Sequence, residues 1–180
     1  ETTDTLGHQK EFNYALRADM TREEFIKEVT DGLVAPPQYF PSNVLMNLRG
    51  GIESIDDVIK RGTRALSPKE FQLVWETEEA LVIDTSSKEE FPTAFLPGSI
   101  FIGIDDNFAP WVGTLVTDLK QPILLVADEG REEEIVIRLS RVGYDNSIGY
   151  LKGGVEAWKK EGMDMDRIEE ISAEDFAALY

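Results

Sequence analysis

The segment from Ile123 to Gly143 constrains the fold more than any other part of this 180-residue chain. Its apolar start, Ile123 to Val126, has the length of a strand and leads into a short loop that ends at Gly130. An amphipathic helix follows the loop. Its apolar positions are Ile135, Leu139 and Val142. Such a strand–loop–helix directs backbone N–H groups and the positive end of a helix dipole at one point, which makes the loop a candidate cradle for an anion or a thiolate.

The same alternation of strands and helices runs through most of the chain after Leu66. The sequence predicts strands at Ala80–Asp84, Ile100–Ile104, Ile123–Val126 and Ile148–Leu151. It predicts helices after the capping sequence Ser67-Pro68-Lys69-Glu70, over Lys88–Phe95 with a bend near Pro92, and over Phe108–Val116 with Trp111 and Leu115 facing inward. Alternating strands and helices indicate an α/β fold with a parallel sheet covered on both faces.

Composition excludes several classes of function. Acidic residues outnumber basic residues by 35 to 18, and a net charge of −17 argues against nucleic acid or an anionic membrane surface as a partner. The chain has no cysteine, which excludes disulfides, thiolate metal sites and thiol catalysis. No apolar run is long enough to span a bilayer and no signal peptide is visible, so we expect a cytoplasmic location. Glu1 stands where a start methionine would, and we expect a processed or excised piece.

From Leu66 to about Met165 the chain resembles the rhodanese family. The motifs that carry the resemblance are Val82-Ile83-Asp84-Thr85, Leu96-Pro97-Gly98-Ser99-Ile100, Gly143-Tyr144-Asp145, and Leu151-Lys152-Gly153-Gly154 followed by Ala157-Trp158. The resemblance implies a rhodanese-like fold, with a central parallel sheet of about five strands and helices on both faces.

The resemblance also implies where a sulfurtransferase site would lie and that it is degenerate. In the family the loop after this strand opens with a persulfide-carrying cysteine, which counting back from Gly130 places at Ala127. Ser86 stands where active members commonly carry arginine, and Phe95 stands where many carry histidine. The degenerate loop consists of Ala127, Asp128, Glu129, Gly130, Arg131 and Glu132. We therefore expect no catalytic residue, cofactor or metal ligand in this chain.

The charges of the loop favour the same interpretation. Asp128, Glu129 and the run Glu132–Glu134 are acidic, and Arg131 is the one local cation. The glutamates are also good residues for a helix start, because they complement the helix dipole. Two alternatives stay open: Asp128 or Glu129 acts as a carboxylate base, or the backbone N–H groups of the loop bind an anion. Asp105 and Asp106 form a second acidic pair, which we interpret as a loop cap.

The first 45 residues resemble the C-terminal tail of metallo-β-lactamase-fold proteins that are fused to rhodanese domains, some of which are persulfide dioxygenases. The motifs are Thr5-Leu6-Gly7, Phe12-Asn13-Tyr14-Ala15-Leu16 and Phe25 through Pro41. The residues themselves predict a capped helix from Thr21 to about Thr30, a non-helical stretch from Ala35 to Pro41, and a short helix capped by Ser42. We expect Tyr39 and Phe40 to anchor this segment. His8 is the only histidine, and we expect it to be solvated or to pack.

We divide the chain into a tail at 1–45, a linker at 46–65 with a short helix near Asp57–Arg61, a rhodanese-like domain at 66–165, and a linker with the start of a second rhodanese unit at 166–180. The second unit is inferred from a repeat 105 residues apart. Leu66-Ser67-x-x-Glu70-Phe71 recurs as Ile171-Ser172-x-x-Asp175-Phe176.

The leading hypothesis is a non-catalytic rhodanese-like module of a larger metallo-β-lactamase-fold and rhodanese protein that acts in persulfide or sulfide metabolism. Its partners would be an upstream metallo-β-lactamase-fold domain and a downstream rhodanese domain, and the parent would carry iron or zinc. Self-association is left open. The alternatives are a freestanding partner- or anion-binding module, and a hydrolase-type enzyme of the metallo-β-lactamase superfamily whose catalytic part lies outside this chain.

Overall fold

The computed structural model describes residues 3–16, 19–33, 35–37, 39–169 and 171–179. The chain divides into two compact units, with the boundary between Pro36 and Pro37. Gln38, within the segment predicted to be non-helical, lies outside the described residues, and so does Tyr180, in the segment predicted to begin a second rhodanese unit.

The first unit consists of short helices. Helix α1 spans Leu6–Phe12, a 3-10 turn spans Tyr14–Leu16, and helix α2 spans Arg22–Thr30. The predicted capping box at Thr21 is confirmed, because its hydroxyl accepts from the N–H of Glu24 and the Glu24 carboxylate accepts from the N–H of Thr21. His8 is exposed and lies 2.7 Å from the Asp4 carboxylate.

The second unit contains a five-stranded sheet in the order β1-β5-β4-β2-β3, and every strand pairing is parallel. The strands are β1 Ala65–Leu66, β2 Leu81–Asp84, β3 Ile100–Phe101, β4 Ile123–Val126 and β5 Ser147–Leu151. The helices of this unit are α3 Phe40–Arg49, α4 Ile55–Gly62, α5 Pro68–Thr77, α6 Phe108–Leu115, α7 Glu132–Ser140, α8 Gly154–Lys160 and α9 Ala173–Ala178. The predicted parallel sheet and α/β class are confirmed.

Helices cover both faces of this sheet because its central strand is apolar on both sides. All four residues of β4 are buried. Ile123 and Leu125 join a core with α4, α6 and α7, whereas Leu124 and Val126 join a core with α5 and α8. The second core contains Trp158, which fills it as predicted.

Helix α3 corrects the predicted boundary at Ser42. The helix begins at Phe40, so Phe40 and Pro41 are helical, and Tyr39 precedes them without a side-chain cap. Proline is well suited to the first helical turn, because the N–H that it lacks has no partner there and its φ is already fixed. Pro41 therefore lies in the first turn of a helix, whereas residues 35–37 are non-helical as predicted.

Helix α6 corrects the predicted orientation of two side chains. Trp111 and Leu115 are 53% and 48% exposed, so the prediction that they face inward is wrong. Phe108 and Val112 point into the core instead. The two pairs lie on adjacent i, i+4 rows, and the helix packs through the row that contains Phe108.

Four further elements differ from the predictions. Lys88–Phe95 forms only a 3-10 turn at Phe91–Thr93, because Pro92 cannot continue an α-helix. Strand β3 ends at Phe101, although Ile102 and Ile104 still donate N–H groups to backbone carbonyls at and just beyond the end of β2. Strand β1 was not predicted, and α4 extends the expected Asp57–Arg61 helix at both ends.

Candidate functional site

The candidate site is the loop that follows β4 at the carboxyl ends of the strands. Thr85, directly after β2, holds the end of β4 in place, because its N–H and hydroxyl both donate to the carbonyl of Val126 at 2.9 and 3.0 Å. On the other side of the loop lies Gly154, at the start of α8, where an added Cβ would be in ordinary contact with the Ala127 carbonyl oxygen at 4.0 Å. The loop thus lies between the ends of three strands.

The carboxylate of Glu132 binds one of the backbone N–H groups of this loop. The N–H of Arg131 donates to the carbonyl of Asp128 at 3.1 Å, and Gly130 has a φ of +87°, a left-handed conformation that favours glycine. The N–H of Gly130 donates to a carboxylate oxygen of Glu132 at 3.0 Å. A backbone donor that would face an incoming anion is therefore already bound to an anionic side chain.

The loop cation Arg131 is bound by two carboxylates. Its terminal nitrogens donate to both oxygens of Asp105 at 2.7 and 2.8 Å, and its Nε donates to Glu134 at 3.0 Å. Arg138 extends the network, since it contacts Glu134 at 2.7 Å and donates to the carbonyl of Ile104 at 2.7 Å. We call these ion pairs the Arg131 clasp. The clasp ties the segment after β3 to the first turns of α7.

The charges of the clasp neutralise one another. Hydrogen bonding to Arg131 lowers the pKa of Asp105 and also lowers that of Glu134. The same bonds, with Asp105 first, raise the pKa of the Arg131 guanidinium. A bidentate arginine–carboxylate pair satisfies both partners, so Arg131 offers little charge to a second anion.

Ser86 and Asp84 form a second polar pair beside the loop. Asp84 is 1% exposed, and one of its oxygens accepts from both the N–H and the hydroxyl of Ser86, at 3.0 and 2.6 Å. The other oxygen has no hydrogen-bond partner within the described part of the chain. Burial is the main cause that raises the pKa of Asp84, and the nearby carboxylates of Asp128 and Glu90 raise it further. Both donors of Ser86 therefore bind a buried carboxylate.

Phe95 is an apolar packing residue. Its ring stacks on Phe91 with centroids 4.5 Å apart, and its backbone forms an antiparallel bridge with Asp166. The segment that ends in Asp166 therefore packs beside the turn that carries Phe95.

The structure brings together residues that the sequence analysis treated separately. Asp105, interpreted as a loop cap, is the bidentate partner of Arg131, which lies 26 residues away in the sequence. Asp128 and Glu129 are both exposed on the loop. A carboxylate directly after a predicted strand was the available signal for the clasp, since the carboxyl ends of parallel strands share one edge of a sheet.

Neither a cluster of metal-ligating side chains nor a membrane-spanning helix occurs among the residues that the structure describes. Within them, no group of three or more histidine, aspartate or glutamate side chains is arranged to hold a metal ion. In the same residues, no helix has the length and apolar character required to cross a membrane.

Residues 67–161 match the rhodanese-like domain, which is just over half of the chain. The chain belongs to the rhodanese family. A curated relative, the adenylyltransferase and sulfurtransferase uba4 of Pyricularia oryzae, is 30% identical over 108 residues. That match covers 50% of this chain but only 22% of the relative, so the chain spans about a fifth of the length of that protein.

Two solved structures are similar to this chain, and the likeness to the first of them shows the fold. The metallo-β-lactamase of Staphylococcus aureus aligns with 82% of this chain and 40% of its own, with a TM-score of 0.62 and 24% identity. The Rhodanese_3-like domain of an Anabaena protein aligns with 52% of this chain and 98% of its own, with a TM-score of 0.46 and 18% identity. The assignment of the cysteine position to Ala127, like those of Ser86 and Phe95, stays a prediction.

Proposed function

We propose that this chain is a non-catalytic rhodanese-like module of a larger metallo-β-lactamase-fold and rhodanese protein that acts in persulfide or sulfide metabolism. The observation that carries the proposal is the loop after β4, which has alanine at its first position in a chain without cysteine. Membership of the rhodanese family supplies the expected chemistry, and this loop lacks the atom that would perform it.

Sulfur transfer of this kind needs a thiolate. The thiolate attacks the outer sulfur of a donor such as thiosulfate, the sulfur–sulfur bond of the donor breaks with release of sulfite, and the protein keeps the sulfur as a persulfide. A nucleophile such as cyanide then takes that outer sulfur and restores the thiolate. The methyl group of Ala127 cannot form the first bond.

The charges around the loop weigh against the alternative of an anion-binding module. The N–H of Gly130 is bound by Glu132, and Arg131 is held by Asp105 and Glu134. Asp128 is exposed on the same loop. An anionic ligand would have to displace carboxylates that are tethered beside these donors, and tethered groups compete at high effective concentration.

The metallo-β-lactamase context rests on two observations of different kinds. The first 45 residues resemble the tail of such fusion proteins, and the fold of the S. aureus metallo-β-lactamase aligns with more of this chain than the rhodanese-like domain occupies. We propose that an upstream domain of the parent holds the metal. Iron is favoured by the resemblance to persulfide dioxygenases, and zinc would accompany a hydrolase.

The enzymatic part of the proposal is tested with a thiosulfate:cyanide assay on the wild type and on Ala127→Cys. The wild type should give no thiocyanate above the no-protein control. Ala127→Cys should reach less than about one hundredth of the rate of an active rhodanese, because removal of the positive groups that bind an oxyanion typically costs 10²-fold or more. Asp106→Cys is the matched control for a thiol placed outside the loop.

Two outcomes would count against this reading. Wild-type turnover that survives repurification would show that the chain is an enzyme. Robust activity of Ala127→Cys alone would show that the acidic loop and the clasp do not hinder sulfur transfer. The genomic sequence on both sides of the chain tests the fusion separately, since it should encode a histidine-rich metallo-β-lactamase motif upstream and a cysteine-bearing rhodanese unit downstream.

A further inference from the structure

Helix α3 is fixed to the rhodanese-like unit through one of its sides. Tyr39, directly before the helix, packs against the core formed with α4, α6 and α7. Its ring lies against the bare backbone of Gly113 in α6, where an added Cβ would be 2.4 Å from a ring carbon. Asn43 and Met46 on the same side are half-buried. The orientation of α3 is therefore set by contacts within this unit.

The opposite side of α3 is apolar and exposed. We call this side the α3 outer face. Its residues are Phe40, Val44, Leu45 and Leu48, with exposed fractions of 48%, 56%, 47% and 77%. A surface helix normally turns its apolar stripe toward the core, whereas in α3 the side toward the core carries Asn43 with Met46 and the fully apolar side is exposed. Contiguous apolar surface of this kind marks an interaction site.

The charge pattern singles out the same helix. Acidic residues make up 35 of the 180 positions, yet none occurs between Asp31 and Glu53. Arg49 is the only charged residue of α3. The cores of protein interfaces are depleted of charged residues. A stretch without acidic residues around α3 is therefore typical of a surface that is buried in an interface.

The outer face continues into a cleft. Leu45 and Met46 line a cleft of about 880 Å³ that is closed on its other side by Leu119 and Lys120, ahead of β4. The cleft lies at the amino ends of the strands, opposite the loop at Ala127. A partner bound to the α3 outer face could extend into this cleft and would leave the loop at Ala127 uncovered.

We infer that the α3 outer face is the docking surface for the metallo-β-lactamase-fold domain of the same protein. This inference rests on the proposed function. The alignment with the S. aureus metallo-β-lactamase covers 82% of this chain, whereas the rhodanese-like domain is residues 67–161. Only 19 residues follow Glu161, so the shared fold includes part of the segment before Ser67. More than half of that neighbour lies beyond the alignment.

A second copy of this chain fits the outer face less well. Each copy carries a net charge of −17, and two copies brought together would repel one another over most of their surfaces. An apolar contact with one helix of each copy is small in comparison with the interfaces of stable dimers.

The absence of native cysteine makes a direct test straightforward. In the full chain, Leu48→Cys places the only thiol on the outer face, and Leu73→Cys places one on α5, where Leu73 is 60% exposed. The rate of alkylation by iodoacetamide is measured with and without the metallo-β-lactamase-fold domain encoded in the same gene. With that domain at about ten times its Kd, the Leu48→Cys rate should fall about tenfold and the Leu73→Cys rate should not change.

Binding is measured in parallel on cysteine-free variants. Leu48→Glu should weaken the affinity for that domain by about tenfold or more, because a charge in the core of an interface must be desolvated. Leu73→Glu is the matched control and should bind like the wild type. Circular dichroism shows whether each variant is folded.

Each outcome has one meaning. Equal alkylation of Leu48→Cys with and without the bound domain overturns the inference and leaves the proposed function standing. Protection of Leu48→Cys that rises with the concentration of the chain alone identifies a second copy as the occupant. Protection of Leu48→Cys at every concentration of the chain alone shows that the chain itself covers α3. Either result overturns the inference. A gene with no such domain overturns the inference together with the proposed function.

Discussion

At the scale of single residues, Asp84 is a buried carboxylate with one satisfied oxygen. Ser86 donates two hydrogen bonds to that oxygen, which favour the ionised form and offset part of the cost of burial. Burial has the larger effect and raises the pKa above the ordinary value of 3.8. A folded-state pKa that is raised for an acid means that the protonated side chain stabilises the fold, and this contribution is lost as the pH rises through the raised pKa.

We therefore predict that Asp84→Asn increases the free energy of unfolding at pH 7 by about 1 kcal/mol, because an unpaired buried amide costs less than an unpaired buried charge. The difference from the wild type should shrink as the pH falls through the raised pKa, because the native carboxyl then becomes protonated. Urea denaturation at several pH values measures it. The exposed Asp106→Asn is the control, and an Asp84→Asn variant that is less stable than the wild type at pH 7 would contradict the prediction.

Substitution of Ser86 should lower the free energy of unfolding, in contrast to substitution of Asp84. Ser86→Ala removes the hydroxyl that donates to Asp84 at 2.6 Å and leaves the backbone N–H bond in place. Loss of a hydrogen bond to a charged group should lower the free energy of unfolding at pH 7 by about 1.5–3 kcal/mol. The same substitution in the Asp84→Asn background should cost less. Equal losses in both backgrounds would show that the hydroxyl does not act through the carboxylate.

At the scale of elements, the Arg131 clasp joins the segment after β3 to α7. Asp105 has a pKa lowered by Arg131, so its contribution to stability is present above the ordinary value of 3.8 and is lost as the pH falls through the lowered pKa. A double-mutant cycle with Arg131→Ala and Asp105→Asn should give a favourable coupling at pH 7. The coupling should weaken in high salt, because the Asp105 side chain is exposed. The same kind of cycle on Lys88 and Glu89, whose exposed side chains form an ion pair at 3.8 Å, should show no coupling.

The contact of Tyr39 with Gly113 fixes α3 on α6. Gly113→Ala should lower the free energy of unfolding by about 1–3 kcal/mol, because the new methyl group overlaps the ring. Amide hydrogen exchange in α3 should speed up more than exchange in α5. Thr114→Ala is the control, since Thr114 is an exposed neighbour on the same helix. Unchanged exchange in α3 would show that Tyr39 is not its anchor.

At the scale of the whole molecule, the net charge of −17 acts on the compact state as self-repulsion. Sodium chloride screens that repulsion, so raising it from low to about 0.5 M should raise the Tm by a few degrees at pH 7. The salt effect should vanish near pH 4.4, the isoelectric point of the sequence. A Tm that falls with salt at pH 7 would mean that attractive ion pairs such as the clasp outweigh the repulsion.

Short-range patterns in the sequence determined much of this molecule. The apolar run at β4 and the i, i+4 spacing of α7 define those elements, because backbone periodicity is a local property. The caps at Thr21 and Ser67 were readable for the same reason, since each joins residues three apart. The composition alone is enough to predict that the chain has no thiol chemistry, because it contains no cysteine.

Tertiary structure decided what depends on residues far apart in the chain. Strand β1 has two residues, too few to show a period, and exists because it pairs with β5. Arg131 meets Asp105 only because the sheet order brings the ends of their strands to one edge. The burial of Asp84 and the exposure of Leu48 likewise follow from which neighbours pack on each element. Sequence spacing fixes the two sides of a helix or strand, but only packing decides which side is covered.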